Sequence, residues 1–199
     1  MEKVMCIALT GAGGVGKGTL VKAFRKLRPE FFALSSPVKP VASLLPSFGV
    51  SYADYEWHDK DVMQYSALCA EINAERTMHE NGLPFIAERS VFDFLPYYAE
   101  ACADTESVQK YESIVEKHAK ALPYDILAYI PVEFEPYDRM KNAWKERDPE
   151  KRRKTDEYIQ SMLFGIESST PTCIVSLKGT TEERAAKLAE IVRWKEGKP

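Results

Sequence analysis

The chain has 199 residues, 45% hydrophobic and 29% charged, with a net charge of −3 at pH 7, which favours one globular domain with a substantial core. The acidic balance excludes a general attraction to nucleic acid or to anionic membranes, and the first apolar run is too short to span a bilayer. The four cysteines form no C-x-x-C pair, which excludes a paired-cysteine zinc site and indicates reduced thiols in a cytoplasmic protein.

The first elements are a strand at Val4–Thr10, a glycine-rich loop and a helix at Lys17–Arg28. The loop has the G-x-x-x-x-G-K spacing of a phosphate-binding loop. Its glycines let the backbone turn with φ > 0 and bring N–H groups to phosphate oxygens, and the lysine and the helix N-terminus add positive charge. We therefore predict an ATP site formed by Gly11, Gly13, Gly14, Val15, Gly16, Lys17, Gly18 and Thr19.

The loop departs from the common pattern after Lys17, where Gly18 stands in place of the usual serine or threonine ligand of Mg²⁺. This G-K-G-T ending resembles the loop of adenylate kinase and related nucleoside monophosphate kinases. The resemblance implies that Thr19 meets Mg²⁺ through water and not directly.

The next strand, Phe31–Ser35, leads into a Ser-Ser-Pro-Val-Lys stretch that ends at Lys39. This stretch resembles the A-x-P-[IVL]-K element of phage-type deoxynucleoside monophosphate kinases, which implies that Lys39 binds the acceptor; a solvated surface lysine is the alternative. A helix is predicted at Asp59–His79, where Gln64 and Glu71 share a face. The resemblance places this helix at the acceptor pocket and implies that Gln64 binds substrate.

A third strand, Leu83–Ala87, ends in Glu88 and Arg89. Because parallel strands end at the same sheet edge as the phosphate-binding loop, both side chains should lie in the ligand crevice. Glu88 is suited to hold the hydration shell of Mg²⁺ or to orient the acceptor, and Arg89 to bind phosphate. A structural ion pair is the alternative.

The same stretch carries a more specific resemblance. Glu-Arg-Ser-Val, from Glu88 on, resembles the E-R-S motif of deoxynucleoside kinases. The longer run resembles the D-R-x-x-x-D-x-x-x-Y pattern of domains related to thymidylate kinase and ribosylnicotinamide kinase. This implies that Asp93 contacts substrate or acts as base, although a helix-capping carboxylate is nearly as good an interpretation.

Helices are predicted at Val91–Cys102 and Glu106–Leu122, and a fourth strand at Ile126–Ile130. The polar stretch that follows, about residues 133–154, is rich in arginine and lysine and lies where P-loop kinases carry a lid. Arg147 before an aspartate resembles the G-x-R-x-x-D element of the same kinases. The resemblance makes it the first choice for a catalytic lid arginine, with Arg152 or Arg153 next.

A helix near Asp156–Phe164, a fifth strand at Cys173–Leu177 and a helix at Thr181–Trp194 complete the pattern. Gly179, after the fifth strand, matches the loop that packs on adenine in these kinases. Alternating strands and helices predict an α/β, three-layer P-loop NTPase fold with a five-stranded parallel sheet and a short lid, in a single domain over residues 1–199.

We expect a kinase that moves the γ-phosphoryl group of ATP·Mg²⁺ to a nucleotide-like acceptor. Its catalytic residues would be Lys17, Glu88, Arg89, Asp93 and Arg147. A free deoxynucleoside monophosphate, 5-hydroxymethyluridine within DNA and a nucleoside such as ribosylnicotinamide are alternative acceptors. A nucleotide-binding switch or ATPase subunit is the rival, because Leu-Pro-Phe-Ile-Ala-Glu is close to a Walker-B strand. We expect no membrane partner, and pairing with a second copy is left open.

Overall fold

The computed structural model describes residues 4–44, 57–102, 104–133 and 149–197. In these ranges five strands form one parallel sheet in the order β2-β3-β1-β4-β5. Their bounds are β1 Cys6–Thr10, β2 Phe32–Leu34, β3 Phe85–Ala87, β4 Ile126–Tyr129 and β5 Cys173–Ser176. The predicted fold class, an α/β fold with a five-stranded parallel sheet, is confirmed.

Helices cover both faces of this sheet. They are α1 Lys17–Leu27, α2 Val38–Leu44, α3 Trp57–Glu80, α4 Leu95–Ala101, α5 Thr105–Ala121, α6 Pro149–Ser169 and α7 Thr181–Lys195. The helix α7 begins with a capping box, in which the Thr180 hydroxyl accepts from the Glu183 N–H and the Glu183 carboxylate accepts from the Thr180 N–H.

The central strand β1 divides the core into two parts because its side chains alternate between faces. Ile7 and Leu9 pack with α1 and α7, whereas Cys6 and Ala8 pack with the face that α3, α4, α5 and α6 cover. All five residues of β1 are buried. The strand therefore delivers the loop that follows it to a rigid position at the carboxyl edge of the sheet.

Two predicted helices have the wrong bounds. The helix expected near Asp156–Phe164 begins at Pro149, so residues 149–154, which the sequence assigns to the lid, form its first turns. The segment is helical because Glu150 stands in its first turn and because Lys154 and Arg153 each form an i,i+4 ion pair along it. The rest of the expected lid, residues 134–148 with Arg147, lies outside the described residues.

The single helix predicted at Val91–Cys102 is also wrong. The chain forms a 3₁₀ turn at Val91–Phe94 and then α4, which has proline in its first turn. The Asp93 N–H donates to the Ser90 carbonyl at 3.1 Å, the i→i+3 bond of a 3₁₀ turn, and the Asp93 carboxylate accepts from the Ser90 hydroxyl at 3.1 Å.

Among the described helices, none combines the length and the apolar character that crossing a bilayer requires.

Candidate active site

The loop between β1 and α1 has the backbone that its glycines predict. Gly11 (φ 144°) and Gly16 (φ 93°) adopt positive φ, a region that other residues rarely enter. A Cβ atom at Gly11 would also collide with the backbone carbonyl of Ile130, just after β4. The loop is therefore closed tightly over the end of the sheet and cannot accept larger residues at these positions.

Three buried cations bind the carbonyl oxygens of this loop. The Lys17 ammonium donates to Gly11 O and, at 3.1 Å, to Ala12 O. Arg152 Nε donates to Gly13 O at 3.1 Å, and Arg184 Nη1 donates to Val15 O at 3.1 Å. Because these cations bind the carbonyl oxygens of the loop, its N–H groups remain available to bind an anion, as in a phosphate-binding nest.

An acidic side chain, Asp93, forms an ion pair with Lys17. Its Nζ lies 3.3 Å from Asp93 Oδ2, and the Asp93 side chain is fully buried. The other carboxylate oxygen, Oδ1, accepts from the hydroxyls of Thr10 and Ser90. Burial lowers the pKa of Lys17, and the charge of Asp93 opposes that shift. Asp93 thus positions the lysine; its expected role as base or substrate contact stays a prediction.

Glu88 follows β3 and lies beside the first turn of α1. A Cβ atom at Gly18 would be 2.7 Å from Glu88 Oε1, so the carboxylate occupies the space of the missing side chain. Its other oxygen is 3.5 Å from the Ser36 N–H, which follows β2. An acidic group next to the phosphate-binding loop is the arrangement that the sequence predicts for Glu88.

The guanidinium of Arg89 is enclosed by aromatic rings and by a backbone carbonyl. It lies 4.9 Å from the centre of the Tyr97 ring and 5.4 Å from that of Phe94, and Nη1 is 3.4 Å from Asp93 O. Burial acts to lower the pKa of Arg89, but nearby acidic groups, Tyr97 first, outweigh it and raise the pKa. Its Nε is buried without a hydrogen-bond partner, which leaves a donor for a ligand.

One face of α3 carries three buried polar groups, of which Glu71 interacts with Arg89. Gln64, Glu71 and Glu75 are 8%, 1% and 0% exposed. Gln64 Oε1 and Glu71 Oε1 have no hydrogen-bond partner. Burial and the charge of Glu75 raise the pKa of Glu71 well above its usual range, and Arg89 opposes that shift. Unpartnered polar atoms in a protein interior are costly unless a ligand or an ordered water satisfies them.

Glu75, by contrast, is fully satisfied and links α3 to the site. It accepts from the Tyr124 hydroxyl at 2.7 Å and lies 2.7 Å from His118 Nε2. The Tyr124 hydroxyl accepts from the Val91 N–H at 3.0 Å. This series of hydrogen bonds fixes the start of the 3₁₀ turn that carries Asp93.

Among the predicted residues, Lys17, Glu88, Arg89 and Asp93 lie close together beside the loop. Thr19 is exposed beside the loop, and Lys39 is in the first turn of α2, with its side chain outside the described part. Gly179 follows β5 and donates its N–H to Glu133 at 3.0 Å. Arg153 is exposed and pairs with Glu157, whereas Arg152 is buried against the loop.

Sequence reasoning missed Arg184. The residue lies in the first turn of α7. Its position in the helical pattern does not distinguish it from an exposed arginine. Its partners, Val15 and Glu133, are far away in the chain. No local signal in the sequence identifies such a contact.

A family model described as an AAA domain matches residues 6–184. Comparison with curated protein sequences gave no significant match. Among solved structures, NadR in complex with NAD and AMP-PNP has a TM-score of 0.64 and 15% identity, over 99% of this chain and 51% of NadR. NadR in complex with NR has a TM-score of 0.61 and 17% identity over the same shares.

A deoxyadenosine kinase from M. mycoides with bound dCTP has a TM-score of 0.62 and 14% identity, over 96% of this chain and 100% of that kinase. The chain therefore spans about half the length of the NadR chains and the whole length of this second relative. These likenesses establish the fold that surrounds the loop.

Proposed function

The chain belongs to the AAA-domain family, whose model matches residues 6–184, and we propose that it is a P-loop kinase that transfers the γ-phosphoryl group of ATP to a nucleoside-type acceptor. The observation that carries the proposal is a set of buried polar atoms without hydrogen-bond partners: Arg89 Nε, after β3, and Glu71 Oε1 and Gln64 Oε1 on α3. Hydrolysis by water needs no such atoms, whereas a second substrate with donors and acceptors would satisfy them.

The donor would bind with its phosphates in the loop. Lys17 is held by loop carbonyls and Asp93, and phosphate oxygens would replace these partners. Arg152 enters from α6 beside Gly13 and Gly14, where a cation stabilises the charge that develops on the transferred group.

The residues beside the loop fit a Mg²⁺ ion that the triphosphate itself holds for the most part. Gly18 leaves the space in which the Glu88 carboxylate, a hard oxygen donor, lies next to α1. Within the described ranges no group of three or more His, Cys, Asp and Glu residues could hold a metal. Mg²⁺ commonly keeps its waters and uses one or two carboxylates besides phosphates. Glu88 and Thr19 would hold it through water, and the ion would neutralise phosphate charge.

The surroundings of Arg89 favour an acceptor without a phosphate of its own. The charges of Asp93 and Glu88 act on Arg89, so part of its positive charge is already neutralised. A monophosphate or a modified base in DNA would bring further negative charge to these carboxyl groups. NadR with NR and the deoxyadenosine kinase are fold relatives whose names fit a nucleoside acceptor.

The rival is an ATPase or switch subunit, which Glu88 favours because an acid at the end of a buried strand can orient water. A turnover screen separates the two. ADP formation would be measured with no acceptor and with deoxyadenosine, deoxycytidine, nicotinamide riboside, the deoxynucleoside monophosphates and DNA containing 5-hydroxymethyluridine. Stimulation by a nucleoside supports the proposal. Stimulation by a monophosphate or by the DNA corrects the acceptor class, and an acceptor-independent rate supports the rival.

A further inference from the structure

Arg184 joins α7 to the phosphate-binding loop. The residue is 3% exposed, and its Nη1 donates to Val15 O at 3.1 Å. Its Nη2 pairs with Glu133 Oε2 at 2.6 Å. A buried guanidinium with a carbonyl on one side and a carboxylate on the other has a fixed orientation, because its planar fork matches both partners.

Glu133 continues this connection to a second loop. It follows β4, and the oxygen that pairs with Arg184 also accepts from the Gly179 N–H, after β5, at 3.0 Å. The hydrogen bond from Arg184, followed by the one from Gly179, lowers the pKa of Glu133. An unbroken bridge therefore runs from Val15 through Arg184 and Glu133 to Gly179.

The bridge lies on one side of the candidate site. The order β2-β3-β1-β4-β5 places Glu88 and Arg89, after β3, on one side of the loop and places Glu133 and Gly179, after β4 and β5, on the other. Ligands of such sheets bind beyond the carboxyl ends of the strands. If the acceptor occupies the β3 side, the nucleoside half of the donor extends over the β4 and β5 side.

We propose that Arg184 and Glu133 are a positioning pair for the donor nucleotide, which fixes the spacing between the phosphate-binding loop and the loop after β5. This inference rests on the proposed function, which sets the direction of the donor. The two loops belong to separate segments of the chain, and the pair holds both at once. ATP would contact both loops, so its affinity depends on their spacing. A bare triphosphate chain would contact only the phosphate-binding loop, so its affinity does not.

The comparison of ATP with inorganic tripolyphosphate tests the pair. Both dissociation constants would be measured by calorimetry, with Mg²⁺, for the wild type, Glu133→Gln, Arg184→Lys and the double variant. Glu133→Gln keeps a polar side chain but loses the charge, and Arg184 keeps its bond to Val15. Arg193→Ala, an exposed arginine on the same helix, is the matched control. Circular dichroism establishes that each variant is folded.

Glu133→Gln is expected to weaken ATP binding roughly tenfold and to leave tripolyphosphate binding within about twofold. The reason is that a shift of the loop after β5 affects only a ligand that contacts both this loop and the phosphate-binding loop. The double variant should lose little more than either single variant, since paired residues are not additive. Equal weakening of both ligands, or unchanged ATP affinity, overturns the pair while leaving the kinase proposal intact. Failure of the wild type to bind ATP overturns the proposed function and the pair with it.

Discussion

The Glu88 carboxylate occupies the space that a side chain at Gly18 would fill, since a Cβ atom there would lie 2.7 Å from Glu88 Oε1. The glycine that departs from the common phosphate-binding loop is therefore matched by an acid from the neighbouring strand. The two residues are best understood as one feature of the site, in which the small residue makes room for the charged one.

Gly18→Ala is expected to lower the transfer rate by about tenfold or more with little change in melting temperature. The methyl group must displace the flexible end of Glu88, which costs the fold little, and alanine is the better helix former. Gly165→Ala in α6, where a Cβ atom meets nothing within 4 Å, is the matched control and should keep the wild-type rate. A wild-type rate for Gly18→Ala would make the position of Glu88 irrelevant to catalysis.

Glu88→Gln should reduce kcat by roughly 10²-fold or more and leave ATP affinity nearly unchanged, because the carboxylate serves the acceptor or the ion and not the adenine. Steady-state kinetics with calorimetric ATP titration separates the two effects. Glu190→Gln, an exposed acid on α7, is the control. A lower melting temperature with normal activity per folded molecule would instead identify Glu88 as a structural residue.

The neighbours Arg152 and Arg153 offer a comparison within α6. Arg152 is 2% exposed and donates to Gly13 O, whereas Arg153 is exposed and pairs with Glu157. Arg152→Ala should lower kcat by about 10²-fold, and Arg153→Ala should stay within about twofold, because only a cation at the loop meets the transferred group. Arg152→Lys should recover part of the rate, since lysine keeps the charge without the planar fork. Equal rates for the two alanine variants would exclude Arg152 from the chemistry.

Local signals in the sequence predict the sheet and the part of the site that the phosphate-binding loop and Glu88 form. The loop spacing, the apolar strands and the acid that ends β3 are enough to identify the phosphate-binding loop and Glu88. The start of α6 differs from the prediction because a basic charge run in this position is also typical of a lid. The proline, the acidic first turn and the i,i+4 pairs that mark a helix are nevertheless present at Pro149–Glu157.

Contacts between distant segments set the remainder of the site. Arg184 meets Glu133 across 51 positions of the chain, and Asp93 meets Thr10 across 83. Spacing within a helix cannot identify such partners. The burial of Glu71 likewise depends on how α3 packs on the 3₁₀ turn, where the sequence pattern predicts regular helix.

Glu71 should make the stability of the protein depend on pH. Burial, then Glu75, raises its pKa well above the usual value of 4.5, so the folded protein keeps a proton that the unfolded chain has lost. Stability is fully present below the unfolded pKa and decreases as pH rises through the folded pKa. Glu71→Gln should therefore raise the melting temperature at alkaline pH and leave it unchanged near about pH 4.

Thermal unfolding of Glu71→Gln between acidic and alkaline pH measures this effect. Glu116→Gln, an exposed acid on α5, should match the wild type throughout. If Glu71→Gln also followed the wild type at every pH, the side chain would not carry the penalty of a buried charge. The same variant should bind the acceptor more weakly, because it loses the carboxyl group that faces Arg89.

The destination of the γ-phosphate tests the kinase proposal most directly. ATP labelled at the γ-phosphate would be incubated with the wild type, with Lys17→Ala and with Lys22→Ala, an exposed lysine on α1, in the presence of the nucleoside that best stimulates turnover. We predict label on a hydroxyl of the nucleoside for the wild type and for Lys22→Ala, and a loss of about 10²-fold or more for Lys17→Ala. Label found only as inorganic phosphate, or transfer unaffected by Lys17→Ala, would contradict the proposal.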